Sequence, residues 1–194
     1  NMDTTKTKIK KRNYKNLMPN TNSSTIKVQK RDGRLEDLDI NKIHFVVEEA
    51  CEGLSGVSSS QIEMNANIQF YDGMTTKDIQ NVLVRSANDL ISLESPNYQY
   101  AAARLLSYDV RKEAHGQYEY IPLLKLILRN IRSGVYDKGI LEKYTKTEIK
   151  KFNTWIKRER DLKFTYAGLR QICDKYLVQD RSSGQIYETP QDMY

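Results

Sequence analysis

The segment that decides the fold runs from Val28 to Ile43 and reads Val28-Gln29-Lys30-Arg31-Asp32-Gly33-Arg34-Leu35-Glu36-Asp37-Leu38-Asp39-Ile40-Asn41-Lys42-Ile43. Its first residues alternate apolar and polar side chains, and Asp32-Gly33 supplies the positive φ that a two-residue hairpin turn requires. From Asp39 onward the apolar residues recur at helical spacing, with Asp39 in the N-cap position. The sequence therefore predicts a β-hairpin that leads directly into a helix.

Three cationic side chains, Lys30, Arg31 and Lys42, fall around the junction of this hairpin and helix. The free N–H groups and the dipole at a helix N-terminus already favour an anion, and three cations there would suit a triphosphate. The alternative is a surface hairpin whose lysines face water. On these residues alone both interpretations stay open.

The composition indicates one or two soluble globular domains. The chain has 194 residues, of which 39% are apolar and 29% charged. It contains no apolar run of about 18 residues and no signal-peptide pattern, so we expect a cytoplasmic protein without a membrane span. Cys51 and Cys173 lack metal-ligand spacing, and we expect both to be reduced thiols in the core.

The net charge of +6 is concentrated at the start of the chain. Residues 1–20 hold six lysines and arginines against a single aspartate. A basic segment with few apolar residues favours a disordered tail, which we place at residues 1–25. The rest of the chain is almost neutral, so no specific nucleic-acid binding is expected.

Capping patterns predict four helices within residues 26–114. The first follows Asp39, the second follows Ser58 to Ser60 and ends near Phe70, and the third begins at a capping box formed by Thr75 and Asp78. Ser95 as N-cap and Pro96 at the first helical position predict the fourth helix, which ends near His115-Gly116. The fold class is mainly α with small β-hairpins.

Residues 115–194 are predicted to form a second helical region. Its expected helices cover Pro122 to Arg132, Lys138 to Tyr144, a segment starting at Thr145, and Phe164 to Tyr176. A second hairpin is predicted around Ser183-Gly184.

Several motifs occur in an order that carries a resemblance to a known family. They are Lys30-Arg31-Asp32-Gly33, Asp72-Gly73 before Thr75-Thr76, Pro96 to Tyr100 leading into Ala102-Ala103-Arg104, His115-Gly116-Gln117-Tyr118-Glu119, and Arg158, Asp161, Phe164, Tyr166 and Lys175 to Val178. With these residues the chain resembles the N-terminal part of the large (alpha) subunit of class Ia ribonucleotide reductase, the oxidoreductase of deoxyribonucleotide synthesis.

The resemblance implies that residues 26–114 are an ATP-cone, a regulatory domain that binds ATP as activator or dATP as inhibitor, with Mg²⁺. Residues 115–194 would be the helical region that leads into a ten-stranded catalytic barrel, which we expect to lie beyond Tyr194. Neither Cys51 nor Cys173 matches a catalytic cysteine. We therefore expect no catalytic residue and no resident metal site here, and a regulatory piece that is inactive alone, whether truncated or the product of a split gene.

The resemblance also assigns roles to individual residues. Lys30, Arg31, Lys42, Thr76 and Lys112 would hold the phosphates, Glu36 would accept a hydrogen bond from the adenine amino group, and Val28 and Ile43 would wall the base. Asp39 is either a base contact or only an N-cap, with equal weight.

Two positions depart from the family pattern: Gln80 and Asp109 stand where some members have histidines near the phosphates and the second nucleotide end of the site. Asp109 would repel a triphosphate unless it is paired with Lys112 or through Mg²⁺. The histidines of this chain are expected to serve structure, with His44 on the first helix and His115 as a cation suited to a helix C-terminus.

The implied partners are the reductase beta subunit and the catalytic barrel, either in the same chain or as a separate one, within an oligomer. No membrane partner is expected. The alternative is a nucleic-acid-binding transcriptional regulator that contains an ATP-cone. That regulator carries a four-cysteine zinc ribbon ahead of its cone, whereas this sequence has no cysteine before Cys51.

Overall fold

A computed structural model of the chain describes residues 26–194, so the predicted basic tail at residues 1–25 lies outside the described residues. The elements are β1 (Lys27–Gln29), β2 (Leu35–Asp37), α1 (Ile40–Cys51), α2 (Ser59–Asn67), β3 (Met74–Thr75), α3 (Thr76–Asn88), α4 (Tyr98–His115), α5 (Leu123–Arg132), α6 (Gly139–Lys143), α7 (Lys146–Phe152), a 3₁₀ helix (Arg158–Lys163), α8 (Tyr166–Lys175) and α9 (Pro190–Met193). The predicted fold class, mainly α with a small β component, is confirmed.

The hairpin has a three-residue loop rather than the predicted two-residue turn. The Lys30 N–H donates to the Arg34 carbonyl at 2.8 Å, and the Gly33 N–H donates to the Lys30 carbonyl at 2.9 Å. Gly33 has φ +84°. This is a type I turn followed by a left-handed residue, the usual three-residue solution.

A third strand, which the sequence did not predict, pairs in parallel with β1. Val28 lies opposite Met74 and Gln29 opposite Thr75, giving the order β2-β1-β3. The Lys27 N–H also donates to the Asp72 carboxylate at 2.7 Å. Because α3 begins immediately after β3, the sheet fixes the N-terminus of α3 beside β1.

The predicted helix starts are largely confirmed, because capping depends on neighbouring residues. Asp39 caps α1, Ser58 caps α2, and Thr75 and Asp78 form the predicted capping box of α3. Helix α2 ends at Asn67, earlier than predicted.

The predicted start of α4 is wrong. Ser95 does not cap it, and Pro96 lies in a turn ahead of the helix, which begins at Tyr98. The side chain of Asn97, in the N-cap position, instead donates to the Ser55 carbonyl at 2.9 Å. The turn is thereby tied to the segment after α1.

Helix α4 is the centre of the core. Its Ala101, Ala102 and Ala103 are fully buried, which allows close packing of the neighbouring helices. Leu169 and Cys173 of α8 belong to the same core as α1 to α4. A helix from beyond residue 114 thus completes the core of the first unit, and the boundary at residue 114 stays a prediction.

The second predicted hairpin is reduced to a single bridge between Gln179 and Ile186. Among the described residues, no helix is long and apolar enough to cross a membrane. Both cysteines are free thiols, with Cys173 buried and Cys51 half-buried. Burial raises the pKa of Cys51 to about 11 and that of Cys173 to about 12, so both thiols stay protonated.

His115 serves structure, as predicted, because its ring connects the end of α4 to two other segments. The Ile121 N–H donates to His115 Nδ1 at 3.2 Å, and His115 Nε2 lies 3.0 Å from Asp192 Oδ2. His44 Nδ1 lies 2.9 Å from Glu63 and connects α1 to α2.

Candidate nucleotide-binding site

The first cavity opens between the hairpin and the N-terminal ends of α1 and α3. Nine of the ten predicted site residues line it: Val28, Lys30, Glu36, Asp39, Lys42, Ile43, Thr76, Gln80 and Lys112. The tenth, Arg31, lines an adjoining second cavity that shares Thr76, Gln80 and Lys112 with the first. Hairpin, α1, α3 and the end of α4 therefore meet at one place.

One end of the first cavity is apolar. Val28 on β1 is 3% exposed and Ile43 on α1 is 7% exposed, and Ile79 and Leu83 of α3 complete this wall. Glu36 lines the cavity from β2, where its carboxylate can accept a hydrogen bond. An aromatic base with an exocyclic amino group fits an apolar wall that carries one such acceptor.

Asp39 is the N-cap of α1 and also lies at the first cavity. Its Oδ1 accepts from the N–H groups of Asn41 and Lys42, at 3.1 and 3.3 Å, which makes it the N-cap of α1. The same side chain lines the first cavity. The geometry therefore leaves a base contact open to it.

The first turn of α3 lies at both cavities. Thr75 caps the helix through the Asp78 N–H, and Thr76 is the first helical residue. The first N–H groups of a helix have no acceptor within the helix and carry the positive end of its dipole. A phosphate at Thr76 would meet both a hydroxyl and these amides.

Three cations of the site have partners within the protein, and two of these partners are carboxylates. Lys30 Nζ lies 3.2 Å from Glu36 and Lys42 Nζ lies 3.5 Å from Asp39. Arg31 donates to the Lys112 carbonyl at 3.4 Å, which brings the hairpin loop to the end of α4. These contacts are on partly exposed side chains, so a phosphate can replace them at little cost.

The Lys112 ammonium lies in an unfavourable environment. Burial, followed by the charges of Arg31 and Lys30, lowers its pKa. Each of these effects disfavours the charged amine, and an anion placed among the three cations would relieve them. A phosphate group beside Lys112 would therefore stabilise the charged form of this lysine.

Gln80 and Asp109, the two positions that depart from the family pattern, differ in whether their side chains have a partner. The Gln80 amide nitrogen donates to the Leu105 carbonyl at 2.8 Å, which ties α3 to α4. Asp109 lines the second cavity. Among the described residues no cation lies within 4 Å of its carboxylate, so the ion pair with Lys112 considered from the sequence is absent.

Sequence reasoning missed several residues of the cavities. The first cavity also contains Asp37, Leu38 and Val46 in addition to Ile79 and Leu83, and the second contains Lys77, Tyr108 and Tyr118. Helical spacing from Thr76 could have identified Ile79 and Leu83. No local sequence signal could have identified Tyr108 and Tyr118 as cavity residues, because their position depends on the packing of α4.

Sequence comparison relates this chain to known proteins. Residues 26–113 match the ATP cone domain. The chain is 46% identical over 167 residues to ribonucleoside-diphosphate reductase 1 subunit alpha of Escherichia coli (strain K12), an alignment that covers 86% of this chain and 22% of that protein. It is 44% identical over 168 residues to the ribonucleoside-diphosphate reductase subunit alpha of Enterobacteria phage T4, with the same coverage.

A more distant relative is the ribonucleoside-diphosphate reductase subunit alpha of Helicobacter pylori (strain ATCC 700392 / 26695), 38% identical over 169 residues, covering 87% of this chain and 21% of that protein. The chain thus spans about a fifth of the length of the curated relatives that it matches. Residues 26–113 form an ATP-cone, which is a nucleotide-binding allosteric domain, and most of the chain is similar in sequence to the N-terminal region of the ribonucleoside-diphosphate reductase alpha subunits.

Proposed function

We propose that the two cavities bind ATP or dATP, with Mg²⁺, as an allosteric effector. The base would lie between Val28 and Ile43 with its amino group on Glu36. The triphosphate would extend toward Arg31, Thr76 and Lys112. Lys30 and Lys42 would exchange their carboxylate partners for phosphate oxygens.

One observation carries this proposal. Four cations, Lys30, Arg31, Lys42 and Lys112, and a helix N-terminus converge on two adjoining cavities, the first of which has an apolar end. Charge-assisted hydrogen bonds to phosphate are stronger than neutral ones, and the apolar end supplies area for a base. A site for a free phosphate would not need the apolar end.

We further propose that effector binding controls the overall activity of a ribonucleotide reductase. In that assembly the beta subunit and the catalytic barrel would be the partners, with the barrel in the same chain or a separate one, within an oligomer in the cytoplasm. The two cysteines of this polypeptide are held as protonated thiols by burial, so neither is prepared to act as a redox nucleophile. This polypeptide by itself would not reduce nucleotides.

The alternative of a nucleic-acid-binding transcriptional regulator is not supported. The similar proteins described above are reductase alpha subunits, and the identity extends past the cone into the helical region. No described feature favours a transcription factor over them.

Calorimetric titration of the full chain with ATP, dATP and inosine triphosphate tests the proposed site. ATP and dATP should bind with millimolar or tighter affinity in the presence of Mg²⁺. Inosine triphosphate has a carbonyl where adenine has its amino group, so it should bind about tenfold more weakly, the usual cost of one mismatched polar contact. Absence of binding would overturn the proposed site. Equal affinity for ATP and inosine triphosphate would overturn the proposed base contact.

A further inference from the structure

The second cavity contains a carboxylate at the place where the proposed function puts phosphates. Asp109 lies on α4, one turn before Lys112, and lines this cavity with Arg31, Thr76 and Lys77. A phosphate chain that reaches Thr76 and Lys112 therefore passes close to a negative side chain. Like charges in a partly buried site repel each other strongly.

The cations around Asp109 are already committed elsewhere. Lys77 Nζ lies 2.9 Å from Glu113, whose side chain is 5% exposed. Arg31 donates to the Lys112 carbonyl. Burial raises the pKa of Asp109, the nearby Glu113 adds to this, and the charges of Lys77, Arg31 and Lys112 only partly oppose it. The carboxylate therefore remains without a counter-charge in direct contact.

The whole site is close to charge balance. Among the described residues that line the two cavities, the five cations Lys30, Arg31, Lys42, Lys77 and Lys112 face the four carboxylates Glu36, Asp37, Asp39 and Asp109. A free nucleoside triphosphate carries about four negative charges at neutral pH, so these side chains alone do not neutralise it. A divalent cation would supply the missing charge.

Asp109 has the chemistry that such a cation needs. Mg²⁺ is commonly held by one or two carboxylates together with phosphate oxygens and water. Within residues 26–194 no group of three or more His, Cys, Asp or Glu side chains could hold a metal ion. The remaining ligands would thus have to come from the nucleotide and from water.

We propose that Asp109 is a ligand of the Mg²⁺ that accompanies the nucleotide, and that the cation, Asp109 and the phosphates assemble only together. This inference rests on the proposed function. Asp109 would then select the magnesium complex over the free nucleotide. Without Mg²⁺ the carboxylate and the phosphates repel each other, whereas with Mg²⁺ both coordinate the same cation. Without nucleotide, the site should hold Mg²⁺ only weakly.

Nucleotide titrations of the full chain, in Mg²⁺ and in EDTA, test this inference. In the wild type, removal of Mg²⁺ should weaken ATP binding at least tenfold. In Asp109→Asn, which keeps the shape and removes the charge, the same change should alter affinity less than threefold. This variant should also bind free ATP more tightly than the wild type does, and that gain would itself show that its site is folded.

Asp89→Asn is the matched control. Asp89 lies at the other end of α3, is exposed and carries the same charge, and the length of the helix puts it roughly 18 Å from Lys77. This variant should keep the Mg²⁺ dependence of the wild type. If wild-type affinity is the same in Mg²⁺ and EDTA, or if Asp109→Asn keeps the dependence, the inference fails. The inference also fails if the ATP affinity of the wild type depends on pH instead of on Mg²⁺, because a proton would then neutralise Asp109. No binding in either medium would refute the proposed function itself.

Discussion

The guanidinium group of Arg158 lies 2.7 Å from the carboxylate of Asp192, which connects the 3₁₀ helix to α9. The other oxygen of Asp192 lies 3.0 Å from His115 Nε2 at the end of α4, and both of these side chains are fully buried. Arg158 also stacks on the Tyr120 ring, 4.3 Å from its centroid. These contacts join the end of the cone to the helical segment.

Replacing Arg158 with alanine should destabilise the protein by about 2 to 4 kcal/mol, since it leaves a buried carboxylate without its charged partner. Burial alone would raise the pKa of Asp192, but the hydrogen bond with His115 and the charge of Arg158 outweigh it and lower the pKa to about 2. This stabilisation is therefore complete above about pH 4 and is lost as the pH falls toward 2. Urea denaturation at pH 7 measures the loss.

Arg170→Ala is the control for that measurement. Arg170 and Asp174 form an exposed pair at 3.0 Å on α8. Breaking such a pair should cost no more than about 0.5 kcal/mol. Equal losses in the two variants would show that the Arg158 contact has no special value.

Asp161 gives a pH dependence of the opposite sign. Its two carboxylate oxygens are buried without a hydrogen-bond partner, and burial, against the opposing charge of Arg158, raises its pKa to about 7. The folded protein therefore binds this proton more tightly than the unfolded chain does. Its contribution favours folding at low pH and is lost as the pH rises from about 4 to 7.

We expect Asp161→Asn to be more stable than the wild type at pH 8 by about 1 to 3 kcal/mol, the usual cost of an unsatisfied buried group. At pH 4.5 the difference should be much smaller. Urea denaturation at the two pH values measures this, and a gain of equal size at both would mean that the charge of Asp161 is not responsible.

Lys42→Ala should weaken ATP binding by about 1 to 3 kcal/mol through the loss of a charge-assisted contact with phosphate. The side chain is 73% exposed, so folding should be little affected. Lys125→Ala, an exposed lysine on α5 outside both cavities, should bind as the wild type does. Unchanged affinity in Lys42→Ala would remove this residue from the site.

Glu36→Gln should change base selectivity. The carboxylate can only accept hydrogen bonds, whereas the glutamine amide can also donate to a carbonyl. The preference for ATP over inosine triphosphate should therefore shrink about tenfold or reverse. A variant that loses affinity for both nucleotides equally would place Glu36 away from the base, in its ion pair with Lys30.

Gly33→Ala should weaken nucleotide binding by way of the hairpin loop. A Cβ at Gly33 meets no atom within 4 Å, so the cost arises from its φ of +84° and is about 1 kcal/mol. The strain should displace Lys30 and Arg31. Gly134→Ala has the same open surroundings and φ +73°, follows α5 and lines neither cavity, so it should lose similar stability without losing affinity. Equal affinities in both variants would contradict this role of the loop.

The parts of the fold that could be predicted from the sequence depend on neighbouring residues. The capping box of Thr75 and Asp78 satisfies its own hydrogen bonds within four residues, so it is visible in the sequence. Strand β3 has only two residues, too few to alternate, and it exists because it pairs with β1. The start of α4 was misplaced because the Asn97 side chain bonds to Ser55, 42 residues away.

The same distinction applies to the site. The cations of the hairpin could be identified because they lie next to a turn and a helix cap. The aromatic side chains of the second cavity could not. Tyr118 comes within 5.9 Å of Tyr108, measured between ring centroids, only through the path of the chain after α4. The burial of Asp161, which lies outside the site, could not be predicted either, because the segment around it is highly charged.

The parallel pairing of β3 with β1 also closes a large loop of the chain. Lys27 and Asp72, joined by a hydrogen bond, are 45 positions apart, and both α1 and α2 lie between them. Closing such a loop costs conformational entropy whether or not a ligand is present. A nucleotide that contacts both Lys30 and Thr76 would hold the two ends of this loop together, as a reversible crosslink does. The melting temperature of this part of the molecule should then rise with effector concentration.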